Sequence, residues 1–393
     1  MFSFFSKTDK QTHLLIECGG ASAACAFLVT DADKKPKIVY QKRVIFDTHE
    51  TPDHRATQAM LTTTLAKLLA EARSAGHAKL EALQAPKRLT STTVTFTAPW
   101  YVASTTHIDQ HYEDDRLITE SYLADLQTQE KDTLPAFPAE FQDAQPVIID
   151  TAILQTKLNG YITTNPTEKS TRNFEAQLYT GAVPQSVFDA VETTIGNVFD
   201  ISHVTYHTLP LVTHAALSDL FASLSSAVLI DISGTHTTLT TVYDGTIRDV
   251  ISFAIGTHHL VRHTATELNI GMKAAASALA LHDLSRLDTA SHETVRDLIA
   301  KHTNDWFEEY KKHREQIRKN HPLGSRAIII ATGGMTEYFF TALKKRSEEE
   351  STEGVQLIQL TNEHLSKRLR FPESPPPDPF IALEAIVLAD NDL

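Results

Sequence analysis

The chain writes one short phrase twice. "LLIECGGASAACAFLV" at residues 14–29 and "VLIDISGTHTTLTTVY" at residues 228–243 both run apolar residues into an acid, turn through glycine and small or hydroxyl residues, and resume a strand-like run. A strand that ends in a carboxylate and turns through Gly, Ser or Thr presents backbone N–H groups and hydroxyls to an anion, while the acid can hold a metal ion through water. Two such hairpins facing each other would clamp a polyphosphate with Mg²⁺. A third element belongs with them. "AIIIATGGMTEYFF" at 327–340 predicts a buried strand, a turn at Thr332, Gly333, Gly334 and Met335, and a helix; a Gly-Gly turn lets a flat nucleoside lie against the backbone.

The remainder alternates strands with helices, which makes the class α/β. Residues 14–29 and 38–46 predict strands, and 57–75 an amphipathic helix with Met60, Leu61, Leu65, Leu68 and Leu69 on one face. A β-rich run follows at 89–104, then a helix beginning near Thr119 that Pro135 and Pro138 break. A strand pair turns at Asn159-Gly160, and Asp244-Gly245 closes the second hairpin. Between them, 186–199 predicts a helix with Val187, Phe188, Val191, Ile195 and Val198 apolar. Residues 260–320 read as all helical, and "FPESPPPDPF" at 371–380 reads as a linker to a last short helix. At 393 residues the chain is too long for one compact core and suits two lobes or several subdomains.

At this point the chain resembles the actin-like ATPase superfamily, and within it the FtsA and PilM branch. "IECGGASAACAFL" is similar to the first phosphate loop, "LIDISGTHTTLTTVYDGTIRDVISFAIGTHHLVRHTATELNI" to the second with its continuation, and "IIIATGGMTEYF" to the adenosine loop. "KLNGYITTNPTEKS" resembles the "NGY…P" segment of the subdomain that FtsA and PilM insert into the first lobe. The resemblance implies a two-lobed, duplicated ribonuclease H-like fold: a first lobe at 1–90, an inserted strand-helix-strand-strand (SHS2-type) subdomain at 91–172, a return to the first lobe at 173–225, a second lobe at 226–265, a helical small subdomain at 266–325, and the rest of the second lobe with a C-terminal helix at 326–393. It implies ATP with Mg²⁺ at Glu17, Gly19, Gly20, Ser22, Asp231, Gly234, Thr235, Gly333, Gly334 and Met335, with Asp231 as the metal residue. The departures are as informative. Glu17 stands where the family has Asp, Ala24 where FtsA and PilM commonly carry Lys, Ser233 and Thr235 replace glycines, and Thr238 replaces an Asp. "GMKAAASALAL" at 271–281 lacks, in register, the Glu and Lys that often touch ribose and base. Two readings stay open: a weak nucleotide site with negligible turnover, or tight turns kept from an ancestral site.

The implied role is a cytoplasmic scaffold that docks the short cytoplasmic tail of a single-span, PilN-like membrane protein in type IV pilus or related secretion assembly, with self-association as a further expectation. FtsA-like division is the runner-up, and a sugar or acetate kinase of the same fold is a more distant alternative. Composition bounds the partners. A net charge of −13 argues against nucleic acid, and no stretch has bilayer-spanning length, so membrane contact is expected through a partner rather than by direct insertion. The acidic run at 113–115 suits a basic peptide. Cys18 and Cys25, the only cysteines, predict reduced, partly buried thiols and a cytoplasmic chain. His258, His259 and His263 have zinc-like spacing but no third ligand nearby, so they read as a solvated helix face. Trp306, Tyr310 and Ile317 read as one packing stripe.

Overall fold

The apolar run before the first acid forms β1 (Gln11–Cys18), which turns back into β2 (Ser22–Asp31) and then β3 (Lys34–Ile45), all antiparallel. The computed structural model describes residues 10–32, 34–47, 53–129, 134–137, 141, 144–200, 203–221, 224–280, 289–320, 326–331, 334–349 and 355–390. Helix α1 (His54–Glu71) starts at Asp53, whose carboxylate accepts from Ala56 N–H at 2.7 Å, and buries Leu61, Leu65, Leu68 and Leu69 against the sheet. A π-helical turn at Ala72–Gly76 carries it into α2 (His77–Ala82). β4 (Ser91–Phe96) then pairs parallel with β1.

Next come β5 (Val102–Leu117), α3 (Glu120–Gln129), β6 (Pro146–Leu158), β7 (Tyr161–Thr163) and β8 (Ser170–Pro184), which build a separate antiparallel sheet in the order β5-β8-β6-β7. Helix α4 (Gln185–Gly196) leads back to β9 (Val204–Thr208), which completes a first sheet of order β3-β2-β1-β4-β9. After α5 (Leu209–Leu220) the pattern repeats: β10 (Ser226–Ile232), β11 (Thr237–Tyr243), β12 (Thr246–Phe253), α6 (Thr257–Glu267), α7 (Met272–Ala280), α8 (Thr289–Asn320), β13 (Arg326–Ala331), α9 (Thr336–Glu349), β14 (Gln356–Gln359), α10 (Asn362–Ser366) and α11 (Pro379–Asp390). Its sheet has the order β12-β11-β10-β13-β14, with the same directions as the first. The register repeats as well. Cys18 faces Ala23 and Ile232 faces Thr237, so residues 19–22 and 233–236 form turns of equal length and Glu17 and Asp231 are equivalent.

Helices α5 and α11 lie between the two sheets, in one core that joins Leu15 and Leu28 of the first sheet to Leu229 and Ile330 of the second through Leu217 and Leu383. From Phe380 to Val387 helix α11 is buried and, but for Glu384, apolar on all sides, as a helix enclosed in a core must be. Trp306, Tyr310 and Ile317 are buried as their spacing predicts, and Trp306 Nε1–H donates to Thr237 Oγ1 at 2.9 Å. His258 is not on a solvated face: it is buried where the start of α6 meets the second hairpin. Cys18 and Cys25 are free thiols, fully rather than partly buried. The Pro-rich segment does more than link. Gln41 Nε2–H donates to Pro376 O at 2.6 Å and Ile38 N–H to Arg370 O at 2.9 Å, so the segment straps the outer edge of β3. Pro138 lies outside the described residues. No helix among the described residues is long and apolar enough to cross a membrane.

The inserted sheet does not keep the expected bounds of 91–172. Residues 91–96 are β4, at the middle of the first sheet, and the strand that starts at Ser170 runs on to Pro184, giving strand-helix-strand-strand-strand. β4 is a run of β-branched residues buried on both faces, which periodicity cannot assign to one sheet over another. The insert is rooted where the lobes join. Buried Asp150 accepts from Thr208 N–H at 2.7 Å, Thr208 Oγ1–H at 2.8 Å and the His207 ring at 2.8 Å, and Tyr179 and Thr208 share a hydroxyl contact of 2.6 Å. It also reaches the second lobe, where Arg248 Nη1–H donates to Gln177 Oε1 at 2.7 Å and Gln155 Nε2–H to Asp244 O at 3.1 Å. Asp150→Ala strands the Thr208 N–H and should cost about 3 kcal/mol. The expected readouts are a lower melting temperature and earlier proteolysis within β6, with Asp150→Asn less affected; an unchanged melt would show that the insert is held elsewhere.

Candidate functional site

The two hairpin turns meet between the lobes, and they touch. A Cβ on Gly234 would lie 2.5 Å from the Cβ of Ala21, and one on Gly20 would run into Thr235 Oγ1 and lie 2.6 Å from Pro99 Cδ. Glycine at both positions therefore permits loop against loop, leaving no gap at the point where a polyphosphate would pass. Much of the amide cradle is spent internally. Gly19 N–H donates to Ser22 O at 3.0 Å and Ser233 N–H to His236 O at 2.9 Å. The first amides of α6 are also taken: Thr257 N–H donates to Ser233 O at 3.0 Å and His258 N–H to Gly234 O at 2.7 Å. Gly256 sits under these carbonyls, where a Cβ would lie 2.5 Å from both.

The acid of the first turn is engaged too. Glu17, 1% exposed at the end of β1, accepts from Arg43 Nη1–H at 2.5 Å, and the same nitrogen donates to Ser22 Oγ at 2.8 Å. The opposite side of the guanidinium forks onto Asp378, Nε–H to Oδ2 at 2.6 Å and Nη2–H to Oδ1 at 3.0 Å. Asp378 Oδ1 also accepts from Phe380 N–H at 3.2 Å and Ile381 N–H at 3.3 Å, which caps α11 ahead of Pro379. Burial works against the charge of Arg43, and Asp378 and Glu17 overcome it and hold its pKa above the ordinary value. Asp378 is held below the usual carboxylate range despite its burial, by Arg43 and the two helix amides. Burial pushes the Glu17 carboxyl up, with Arg43 pulling against it.

Asp231, the equivalent acid of the second turn, is also 1% exposed, yet among the described residues no cation stands beside it. Oδ1 lies 3.5 Å from Thr213 Oγ1, and Oδ2 has no partner. Burial raises its pKa to about 8. Thr238, across the hairpin, contacts Ser252 Oγ at 2.9 Å and Tyr101 of the first lobe at 3.3 Å. On the adenosine side, Gly334 has φ +74° and Met335 is buried; Thr332 and Gly333 lie outside the described residues. Ser22, Arg43, Gly234, His258, Val261 and Met335 line the cleft that remains, about 300 Å³ including its open part.

Of the residues expected to hold ATP, Ser22, Gly234 and Met335 share this cleft, Glu17 lies behind it in an ion pair, and Gly20 and Thr235 press against each other. The site does not fit a polyphosphate in this arrangement, and Oδ2 of Asp231 is left without a partner. Sequence reasoning missed Arg43, Asp378, Tyr101 and His258. One signal pointed to Asp378, since Asp-Pro before an apolar run is a helix start; Arg43 had none, because β3 also carries Lys34, Lys35, Lys37 and Lys42 and nothing local sets one cation apart from the others.

The buried Asp231 makes stability depend on pH. Its folded pKa lies above the ordinary 3.8, so the folded state binds the extra proton, and stability is fully present below about pH 4 and declines as pH rises through about 8. Asp231→Asn removes that dependence. Its melting temperature should exceed the wild type's by a margin that widens from pH 5 to pH 8 and levels above; a constant margin would show that the acid is not buried alone.

No family model matches the chain, and no curated protein matches it. Among solved structures, a PilM-PilN type IV pilus biogenesis complex is similar over 96% of this chain and 96% of the matched one, at 15% identity and a TM-score of 0.57. Looser likenesses are the ethanolamine utilization protein EutJ from Carboxydothermus hydrogenoformans, at 12% identity over 89% and 84% of the chains with a TM-score of 0.43, and a Bacteroides thetaiotaomicron protein with an actin-like ATPase fold, at 10% identity over 99% of each with a TM-score of 0.41. With two sheets of the same strand order, two equivalent acid-tipped hairpins and two helices crossing between the lobes, this chain has the actin-like ATPase fold and is similar in fold to PilM over nearly its whole length.

Proposed function

We propose that this chain is an actin-like scaffold of type IV pilus or related secretion assembly, held at the inner face of a membrane by docking the short, basic cytoplasmic tail of a single-span, PilN-like protein on its inserted sheet. The observation that carries the reading is the full-length likeness to a PilM-PilN complex. The insert supports it with a surface of suitable chemistry. β5 is an edge strand, paired with β8 on one side, and its distal half is exposed with Asp109, Glu113, Asp114 and Asp115 along it. An edge strand can accept an extended peptide through main-chain hydrogen bonds, and the acids steer a positive partner toward it. At the same distal end the insert exposes Leu117 at 51%, Tyr161 at 80% and Ile162 at 64%. Large apolar side chains on an otherwise charged surface suit anchors for a partner.

No step of this role passes through nucleotide. The scaffold presents the insert, and self-association, if it extends the scaffold, is read separately by sedimentation. The full chain used as bait in a detergent extract of its own membranes should recover a single-span membrane protein, releasable by salt. A Glu113→Lys, Asp114→Lys, Tyr161→Ser, Ile162→Ser variant with an unchanged melting temperature should lose that capture. Undiminished capture by the variant, or recovery of soluble enzymes alone, would count against the reading and favour the kinase alternative.

A further inference from the structure

We infer that Arg43 is the resident cation of the interlobe junction, which is balanced from within and takes no nucleotide. A buried carboxylate at the tip of β1 needs a counter-charge, and a metal with a polyphosphate is one way to supply it. In this chain the counter-charge is covalently part of β3. Arg43 lies directly opposite Ala24 in the β2/β3 register, so a cation absent from one strand arrives from its cross-strand neighbour on the same face. Its guanidinium makes four hydrogen bonds, to Glu17, Ser22 and both oxygens of Asp378, which nearly exhausts the five donors an arginine has. Little remains with which to grip a phosphate.

The geometry around Arg43 agrees. Ala21 and Gly234 meet without a gap, Gly20 meets Thr235, and the opening amides of α6 are spent on Ser233 O and Gly234 O. The two α6 amides are groups an anion between the lobes would use, and both are satisfied by protein. Asp378 fastens the junction to the helix that crosses between the sheets, because the carboxylate that holds Arg43 also caps α11. The lobes are thus closed by a fixed ion pair in place of an exchangeable ligand. This inference stands apart from which partner the inserted sheet captures, and its test does not use capture.

The experiment measures binding of a fluorescent ATP analogue with Mg²⁺ to the full chain, and melting temperature with Mg-ATP or with EDTA. Wild type should show no saturable binding up to millimolar concentration and no shift with either addition. Arg43→Met should melt lower, since it strands the buried Glu17 and the part-buried Asp378, and adding Glu17→Gln and Asp378→Asn to it should recover part of the loss. Should Arg43→Met fail to fold, Arg43→Lys reads the same point: it keeps one charge, cannot fork onto both carboxylates, and should melt below wild type. Saturable Mg²⁺-dependent binding by wild type would overturn the inference. So would an Arg43 variant that melts with wild type, or a triple variant no more stable than Arg43→Met.

Discussion

One guanidinium shared by a buried and a part-buried carboxylate is the interaction on which the middle of this molecule depends. Taking three charges out of water is costly, and such a cluster persists only when geometry is good and the remaining donors are used. Both conditions hold at Arg43. The partners come from distant parts of the chain: Glu17 from β1, Arg43 from β3 and Asp378 from the approach to α11. The cluster forms only when the C-terminal segment has returned from the second lobe and lain along the edge of β3. The strap that Gln41 and Ile38 hold and the cap on α11 are the same event seen from its two ends.

Much of the fold was legible because its signals are local. The paired hairpins rest on apolar runs bounded by glycine, and Asn159-Gly160 and Asp244-Gly245 adopt the positive φ values, 51° and 83°, and 51° and 74°, that their dipeptides favour. The insert's boundary was not legible. β4 and β5 follow each other as strands, and nothing local says that Thr93 pairs with Leu15 while Thr105 pairs with Tyr179. The site was legible as a position and not as a state. Sequence pattern located two acid-tipped turns, yet whether they hold something or hold each other depends on Arg43 and Asp378, 335 residues apart.

The two equivalent acids have been resolved in opposite ways, and the difference follows from what lies across each hairpin. Opposite Ala24, β3 offers a long basic side chain that reaches Glu17; opposite Thr238, β12 offers Ser252, too short and uncharged. Glu17 is therefore ion-paired, whereas Asp231 is left with a pKa near 8 and an oxygen without a partner. Glu384, on α11, is the same kind of case as Asp231: burial raises it well above the usual carboxylate range. Arg43 serves Glu17 and Asp378, and Asp231 and Glu384 are left with burial as the main influence on their protons.

A junction closed by side chains fixes more than the cleft. The insert is anchored at Thr208, where β9 hands over to α5, and it touches the second lobe through Arg248 and Asp244. Its orientation is therefore set by the angle between the lobes. In a fold whose lobes close on an exchangeable ligand, that angle, and with it the presentation of the insert's exposed edge, would follow the ligand's concentration. Where Arg43 supplies the closure the angle has no such variable. A surface carrying Leu117, Tyr161 and Ile162 is then presented at all times, as the scaffold role proposed above would require.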